Sequence, residues 1–290
     1  MPPVRTLGEW RRAAASMLVE AGVDAARVEA DLLARHGLGI TREALLREPG
    51  LRLDPGARRR LSRLLHKRLR RIPLQYLTGE VDFCGLTFRV NPSVLIPRPE
   101  TEGLVERALA LLPAEEPARV LDVGTGSGCI AAAIASARPR AQVWATDLSP
   151  AAARTAVRNM KRLGLASRVL VLEGDLTEPL GNRGGHPGFS VVVSNPPYVG
   201  ETERDRLSPE VAVHEPETAL FAGPDGMAVI RRLIPRAGAH LVPGGWLVLE
   251  IGETQGPRVE RAFSVSGGWN SVRLERDLAG RVRYALVRKS

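Results

Sequence analysis

The sequence predicts an α/β protein, a doubly wound sheet of mainly parallel strands preceded by a small all-helical domain, and three observations predict it. Between residues 120 and 251 five short apolar runs, most of them β-branched, alternate with helix-forming stretches, as strands buried on both faces do. Ahead of Pro73 the apolar residues instead recur at helical spacing. Near the end, runs at 272–274 and 282–287 flank Asp277-Leu278-Ala279-Gly280, a closing hairpin that makes the sheet mixed.

In chain order, Thr6 with Glu9 three residues on is a capping-box pattern, and Leu7, Trp10, Ala14, Met17 and Leu18 then share one helical face. Asp24 is expected to cap a second helix, carrying Val28 and Leu32, which Gly37 stops; Thr41 caps a third that ends before Pro49. Asp54-Pro55 opens a fourth. Its apolar stripe is Leu61, Leu64, Leu65, Leu69 and Ile72, while Arg58, Arg59, Arg60, Arg63, Lys67, Arg68, Arg70 and Arg71 fill the rest. That basic surface reads either as a solvated helix face or as a docking surface for an acidic or RNA-rich partner.

After Pro73 the period changes to two. Val81 and Phe83, then Gly85, then Leu86, Phe88 and Val90 form two short strands about a turn. The buried strands follow at 120–123, 143–146, 169–172, 191–193 and 246–251. The expected division is a helical domain over 1–73, a β-hairpin linker over 74–95 and the α/β domain over 96–290.

Composition narrows the class. A chain of 290 residues, 44% hydrophobic, holds enough apolar surface for one large core and one small one. No apolar run approaches the roughly 20 residues that span a bilayer, and the first residues lack the pattern of a signal peptide, so the expectation is a cytoplasmic protein with no membrane contact; a monomer is expected as well. Cys84 and Cys129 lack CxxC or Cys/His spacing, which argues for two reduced thiols and no metal site. The net charge of +9 fits an anionic partner, but the lysines are Lys67, Lys161 and Lys289 alone; the remaining basicity is arginine spread along the chain, as a bias in genome composition also produces.

The strand Val120-Leu121-Asp122-Val123 runs into Gly124-Thr125-Gly126-Ser127-Gly128 and then into a helix-forming stretch. A glycine loop between a first strand and a helix lets a nucleotide-like ligand approach the backbone and the helix N–H groups. The spacing is G-x-G-x-G, with Cys129 where a dinucleotide fingerprint wants its third glycine, which departs from the pyrophosphate pattern. Asp147 ends the second strand, where a carboxylate accepts both hydroxyls of a ribose; Asp175 follows the third and borders an adenine, with Leu176 to pack on the ring. S-adenosylmethionine has a ribose, an adenine and an amino-acid tail without a phosphate, and the choice of it rests partly on the resemblance below.

The fourth strand ends in Ser194-Asn195-Pro196-Pro197-Tyr198. Two prolines stiffen this turn, so the Asn195 amide oxygen and the Pro196 carbonyl form a fixed pair of acceptors. Such a pair suits a planar NH2 group, whose conjugated lone pair attacks a methyl sulfonium poorly unless acceptors stabilise the charge developing on nitrogen. Tyr198 is expected to stack on the flat group and Pro197 to line its slot, while Asn195 also touches the cofactor. Asn195, Pro196 and Tyr198 are thus the expected catalytic residues, and no strong base is needed.

These residues resemble the HemK family, the glutamine N5-methyltransferases of peptide chain release factors, over nearly the whole chain. The pieces are Pro73-Leu74-Gln75-Tyr76-Leu77-Thr78-Gly79, then Leu95-Ile96-Pro97-Arg98-Pro99-Glu100-Thr101-Glu102, the glycine loop, Asn195 to Tyr198, Glu215-Pro216 with Ala219-Leu220, Gly223 with Asp225-Gly226, and Glu250-Ile251-Gly252 with Gln255. Ala222 and Met227 stand where the family more often has Gly and Leu. The resemblance implies a Rossmann-like class I methyltransferase fold with a mixed seven-stranded sheet, S-adenosyl-L-methionine as methyl donor, and the glutamine of a Gly-Gly-Gln motif in a release factor as target, with no nucleic-acid contact required. A glutamine methyltransferase of a ribosomal protein is the nearest alternative. An adenine-N6 nucleic-acid methyltransferase, which shares the Asn-Pro-Pro-Tyr core, and a non-catalytic binding module are further ones.

Overall fold

The computed structural model describes residues 5–181 and 188–290. The chain divides into a helical unit, Met1–Gly79 with Pro209–His214, and a sheet unit, Glu80–Ser208 with Glu215–Ser290.

In the helical unit α1 (Leu7–Glu20) opens on the expected capping box, with Glu9 returning to the Thr6 N–H at 3.0 Å. Helix α2 (Ala26–Leu38) departs from expectation at both ends. Its N-cap is Ala25 with no side-chain cap, and it stops at Gly39, in the left-handed region, not at Gly37. The buried face carries Ala26, Ala30, Leu33 and Ala34, while Val28 is exposed. Thr41 caps α3 (Arg42–Arg47) and Asp54 caps α4 (Pro55–Leu69), as expected. The short α5 (Leu74–Thr78) ends the first stretch. The core of the unit is built on Leu7, Trp10, Leu18, Leu33, Leu61 and Leu65.

In the sheet unit β1 (Glu80–Phe83) and β2 (Leu86–Arg89) form the expected hairpin. Cys84 and Gly85 both have positive φ, as a two-residue hairpin turn demands. Phe83 and Phe88 meet edge to face at 6.2 Å and are buried in the core of this unit. Then come α6 (Pro99–Ala110), β3 (Ala118–Val123), α7 (Cys129–Ala137), β4 (Ala141–Asp147), α8 (Pro150–Arg162), β5 (Val169–Glu173) and β6 (Phe189–Ser194). Helix α9 (Pro209–His214) belongs to the helical unit; α10 (Ala228–His240), β7 (Leu241–Glu250), α11 (Gly256–Ser266), β8 (Arg273–Arg276) and β9 (Val282–Arg288) complete the sheet unit.

The seven strands run in the order β5-β4-β3-β6-β7-β9-β8, parallel except for β9, which is antiparallel to both neighbours. Period-two alternation buries both faces. Val191 and Val193 join one core with Leu104 of α6 and Ile130 of α7; Val192 between them joins the other with Ile230 of α10 and Val259 of α11. Among the described residues no helix is long and apolar enough to cross a membrane.

Candidate active site

The strand order reverses between β3 and β6, and ligands bind at the carboxyl ends of strands at such a switch point. Register places the expected residues there together. Val123 pairs with Thr146, Asp147 with Glu173, and Asp122 with Val193, so the segments after β3, β4, β5 and β6 leave the same edge. They surround a cavity of about 390 Å³ whose wall includes Gly124, Gly126, Asp147, Asp175, Leu176 and Asn195. Pro196 and Pro197 line it as well, as do Ser93, Val94 and Leu95 from the stretch after β2.

Gly124 and Gly126 have φ of 74° and 56°, where a side chain is strained, and a Cβ on either would stand in open space. Thr125 between them and Ser127 after them are buried instead of facing the cavity. The Thr125 hydroxyl donates to Asp122 Oδ2 at 2.6 Å, and the Ala131 N–H adds a second bond to the same oxygen at 3.2 Å. Asp122 Oδ1 finds no partner among the described residues, and burial pushes this carboxyl up to about 7. The Ser127 carbonyl accepts from Asn159 Nδ2 at 2.8 Å, and the same Asn159 bonds both backbone groups of Arg89, tying the loop to the hairpin. Gly128, at φ 84°, is the N-cap of α7.

Asp147 accepts from the Gly126 N–H at Oδ2 and from the Ser149 N–H at Oδ1, both at 2.8 Å. Its carboxylate therefore clamps the glycine loop onto the end of β4. Burial pushes its pKa up against those two bonds. Asp175 is held by Arg232, and by Arg236 at 3.3 Å. Leu176 sits at φ 51°, a strained position for a leucine on the cavity wall.

Asn195 donates from Nδ2 to Thr101 Oγ1 at 3.1 Å. The Thr101 hydroxyl donates onward to Glu250 Oε2 at 2.8 Å, and the Tyr198 hydroxyl donates to Glu250 Oε1 at 3.3 Å. Tyr198 differs from the stacking expectation: it is not among the residues lining the cavity, and its ring packs with the apolar side chains of the second core. Burial and the neighbouring Glu250 push its hydroxyl up, so it stays protonated.

Thr101, Arg98, Glu215, Glu250 and Gln255 carry the family resemblance, but no role for them is legible in the sequence. Arg98 meets the buried Glu215 at 2.6 Å, beside Pro216 on the cavity wall. Gln255 donates to the Tyr198 carbonyl at 2.8 Å and holds the end of the Asn-Pro-Pro-Tyr turn. Burial pushes Glu250 up to about 7; Thr101, Arg283 of β9 and Tyr198 act against that, and Glu100 adds to it. A signal was present in principle: Glu250 is a carboxylate ending a strand otherwise apolar from Trp246 to Leu249. Among the described residues no group of His, Cys, Asp or Glu is arranged to hold a metal ion.

Comparisons with known proteins agree with this geometry. Residues 9–79 match the family model described as the PrmC N-terminal domain, and residues 106–223 match the methyltransferase small domain. The chain is 43% identical over 264 residues to a release factor glutamine methyltransferase of Geobacter sulfurreducens, covering 91% of this chain and 89% of that one. It is 41% identical over 277 residues to a protein of the same description from Deinococcus radiodurans, covering 96% of each. Among solved structures a methyltransferase from Pyrococcus furiosus matches with a TM-score of 0.50 at 21% identity, over 71% of this chain and 89% of that one, a likeness of fold alone.

Proposed function

Because the chain belongs to the release factor glutamine methyltransferase family, we propose that it methylates the side-chain amide nitrogen of the glutamine in the Gly-Gly-Gln motif of a peptide chain release factor, with S-adenosylmethionine as donor. The observation that carries this reading is the Asn195 carboxamide on the cavity wall, its NH2 already committed to Thr101, so that Oδ1 is left to accept.

The cavity suits the donor. Gly124 and Gly126 leave their Cβ space open for the amino-acid tail, Asp147 offers the remaining lone pairs of its carboxylate to a ribose, and Leu176 gives an apolar wall for an adenine. Asp175 fits a direct contact less well, since Arg232 and Arg236 already engage it. When bound, the donor supplies a methyl group on a sulfonium sulfur that keeps the electron pair of the broken bond. Asn195 Oδ1 accepts one N–H of the target amide and the Pro196 carbonyl accepts the other. The two stabilise the positive charge that develops on nitrogen as its lone pair leaves conjugation. The proton lost from that nitrogen becomes acidic only after methylation, so no side chain need be a strong base. The helical unit we assign to docking the protein substrate; the chemistry itself requires no nucleic-acid contact.

Label from radioactive S-adenosylmethionine should enter a purified release factor and not a ribosomal-protein mixture, RNA or DNA. Asn195→Ala should slow single-turnover methylation by about a hundredfold to a thousandfold, the usual loss for one preorganised contact. Its cofactor affinity by calorimetry should change little. A wild-type rate in Asn195→Ala would leave the Asn-Pro-Pro-Tyr turn as scaffolding only.

A further inference from the structure

An asparagine carboxamide is nearly symmetric in shape, with an acceptor at one end and a two-hydrogen donor at the other. Which end meets the substrate is decided by the partner of the other end. Here that partner is Thr101, a hydroxyl that can accept or donate depending on where its single hydrogen is sent. The hydrogen goes to Glu250 Oε2 at 2.8 Å, and the free lone pairs meet Asn195 Nδ2 at 3.1 Å. Glu250 takes a second hydrogen from Tyr198 at Oε1. Thr101 and Glu250 are 2% and 1% exposed, so water does not compete for these bonds.

We propose that Thr101 and Glu250 are positioning residues that aim the Asn195 oxygen into the cavity, with the carboxylate of Glu250 setting the direction of every hydrogen in the relay. An ionised carboxylate can only accept. Both donors that face Glu250 are thereby oriented toward it, and Thr101 has only acceptor capacity left for Asn195. A hydrogen on Glu250 Oε2 reverses this. The Thr101 hydroxyl then turns to donate toward Asn195, the carboxamide flips, and an NH2 faces the NH2 of the substrate.

The ionisation of Glu250 therefore enters the rate. Around it stand Thr101 and Glu100 on α6, Tyr198 after β6, and Arg283 and Tyr284 on β9; the Arg283 charge opposes a proton on Glu250, and burial with Glu100 favours one. With the carboxyl pushed up to about 7, the relay is set above neutrality and reversed in acid. Burying a carboxylate is costly, and a hydroxyl relay that needs an obligate acceptor gives this one a use.

This inference rests on Asn195 as the amide acceptor, and the experiment separates the two. Single-turnover methylation of a release factor at saturating S-adenosylmethionine is measured from pH 6 to 9 for wild type, Asn195→Ala, Thr101→Val, Thr101→Ser and Glu250→Gln, with cofactor affinity by calorimetry. Thr101→Val removes the hydroxyl at nearly constant shape and should slow the reaction by about tenfold to a hundredfold, with cofactor affinity little changed. Thr101→Ser should recover most of the rate. Wild type should lose rate below a pH of about 7, and Glu250→Gln should be slow throughout and lose that acid limb. If Asn195→Ala is slow while Thr101→Val keeps the wild-type rate, the relay is wrong and the amide clamp stands. Thr101→Ser as slow as Thr101→Val would assign the effect to packing and overturn the relay, as would an acid limb unchanged in Glu250→Gln. A wild-type rate in Asn195→Ala would overturn clamp and relay together.

Discussion

Asp147 has one duty proposed and one observed. Its place at the end of β4 reads from the sequence as a ribose ligand, the role proposed above, while the bonds from the Gly126 and Ser149 N–H groups make it the clasp of the glycine loop. The second duty was not legible, because Gly126 and Asp147 are 21 positions apart and meet only once β3 and β4 pair. Charged hydrogen bonds are worth roughly 1.5–3 kcal/mol each, so Asp147→Ala should weaken S-adenosylmethionine binding by about tenfold to a hundredfold in calorimetry. Asp147→Asn keeps an acceptor for one of the two N–H groups and should lose less. Unchanged affinity in both variants would remove Asp147 from the cofactor site. Thr101 and Glu250 belong to the same lesson: apart from the resemblance, the sequence marks Glu250 only as a carboxylate ending an apolar strand and Thr101 not at all, and the work of each appears only in the other's presence.

The elements were read from local patterns, and their errors are physical. Gly37 looked like a helix stop, but the missing Cβ serves packing: one added there would lie 2.7 Å from Leu61 Cδ2 of α4. Helix α2 therefore runs on to Gly39, where the left-handed turn occurs. In α4 the basic surface is smaller than its composition suggests. Arg68 is buried, paired with Glu29 and, at 2.9 Å, with Glu210 of α9, which also takes Arg71 at 2.7 Å. What remains exposed, Arg58, Arg59, Arg63 and Lys67 among it, lines a concavity of about 1150 Å³ with His36 and His66. Changing Arg59, Arg63 and Arg70 to Gln should raise the apparent KM for an intact release factor and leave a short Gly-Gly-Gln peptide unaffected, as loss of a steering surface does. An equal loss on both substrates would mean the arginines support the fold and do not dock the substrate.

At the scale of the whole molecule, Asp122 and Glu250 make stability depend on pH in an unusual direction. Both carboxyls are pushed up to about 7 by burial, above their values in an unfolded chain. In acid both states are protonated and nothing is lost. As pH rises past the unfolded values, the unfolded chain ionises first, and stability drains until the folded carboxyls also ionise near 7. At about 1.4 kcal/mol per pH unit per group, the sheet unit should lose on the order of 2–3 kcal/mol for each between pH 5 and pH 8. Asp122→Asn with Glu250→Gln should flatten this slope in denaturant titrations that follow Trp144 and Trp246, and identical slopes would show that these carboxyls do not set it. Activity calls for an ionised Glu250 in the same range where stability prefers it protonated, an opposition common at functional sites.

From the sequence alone came the order of the strands, the first four helices, the hairpin, the glycine loop, Asp147 at the end of the second strand and the Asn-Pro-Pro-Tyr turn. All are patterns along the chain, where the periods of two and 3.6, glycine and proline act within a few residues. The tertiary structure alone decided that Asn195 meets Thr101 across 94 positions, that Thr101 meets Glu250 across 149, and that Tyr198 turns its hydroxyl to Glu250. It also decided that Arg68 and Arg71 are spent on Glu210. Periodicity says which face a side chain takes, but the direction of a hydrogen bond depends on which partner strand register and helix packing bring opposite it, and that pairing is written in no single stretch of chain.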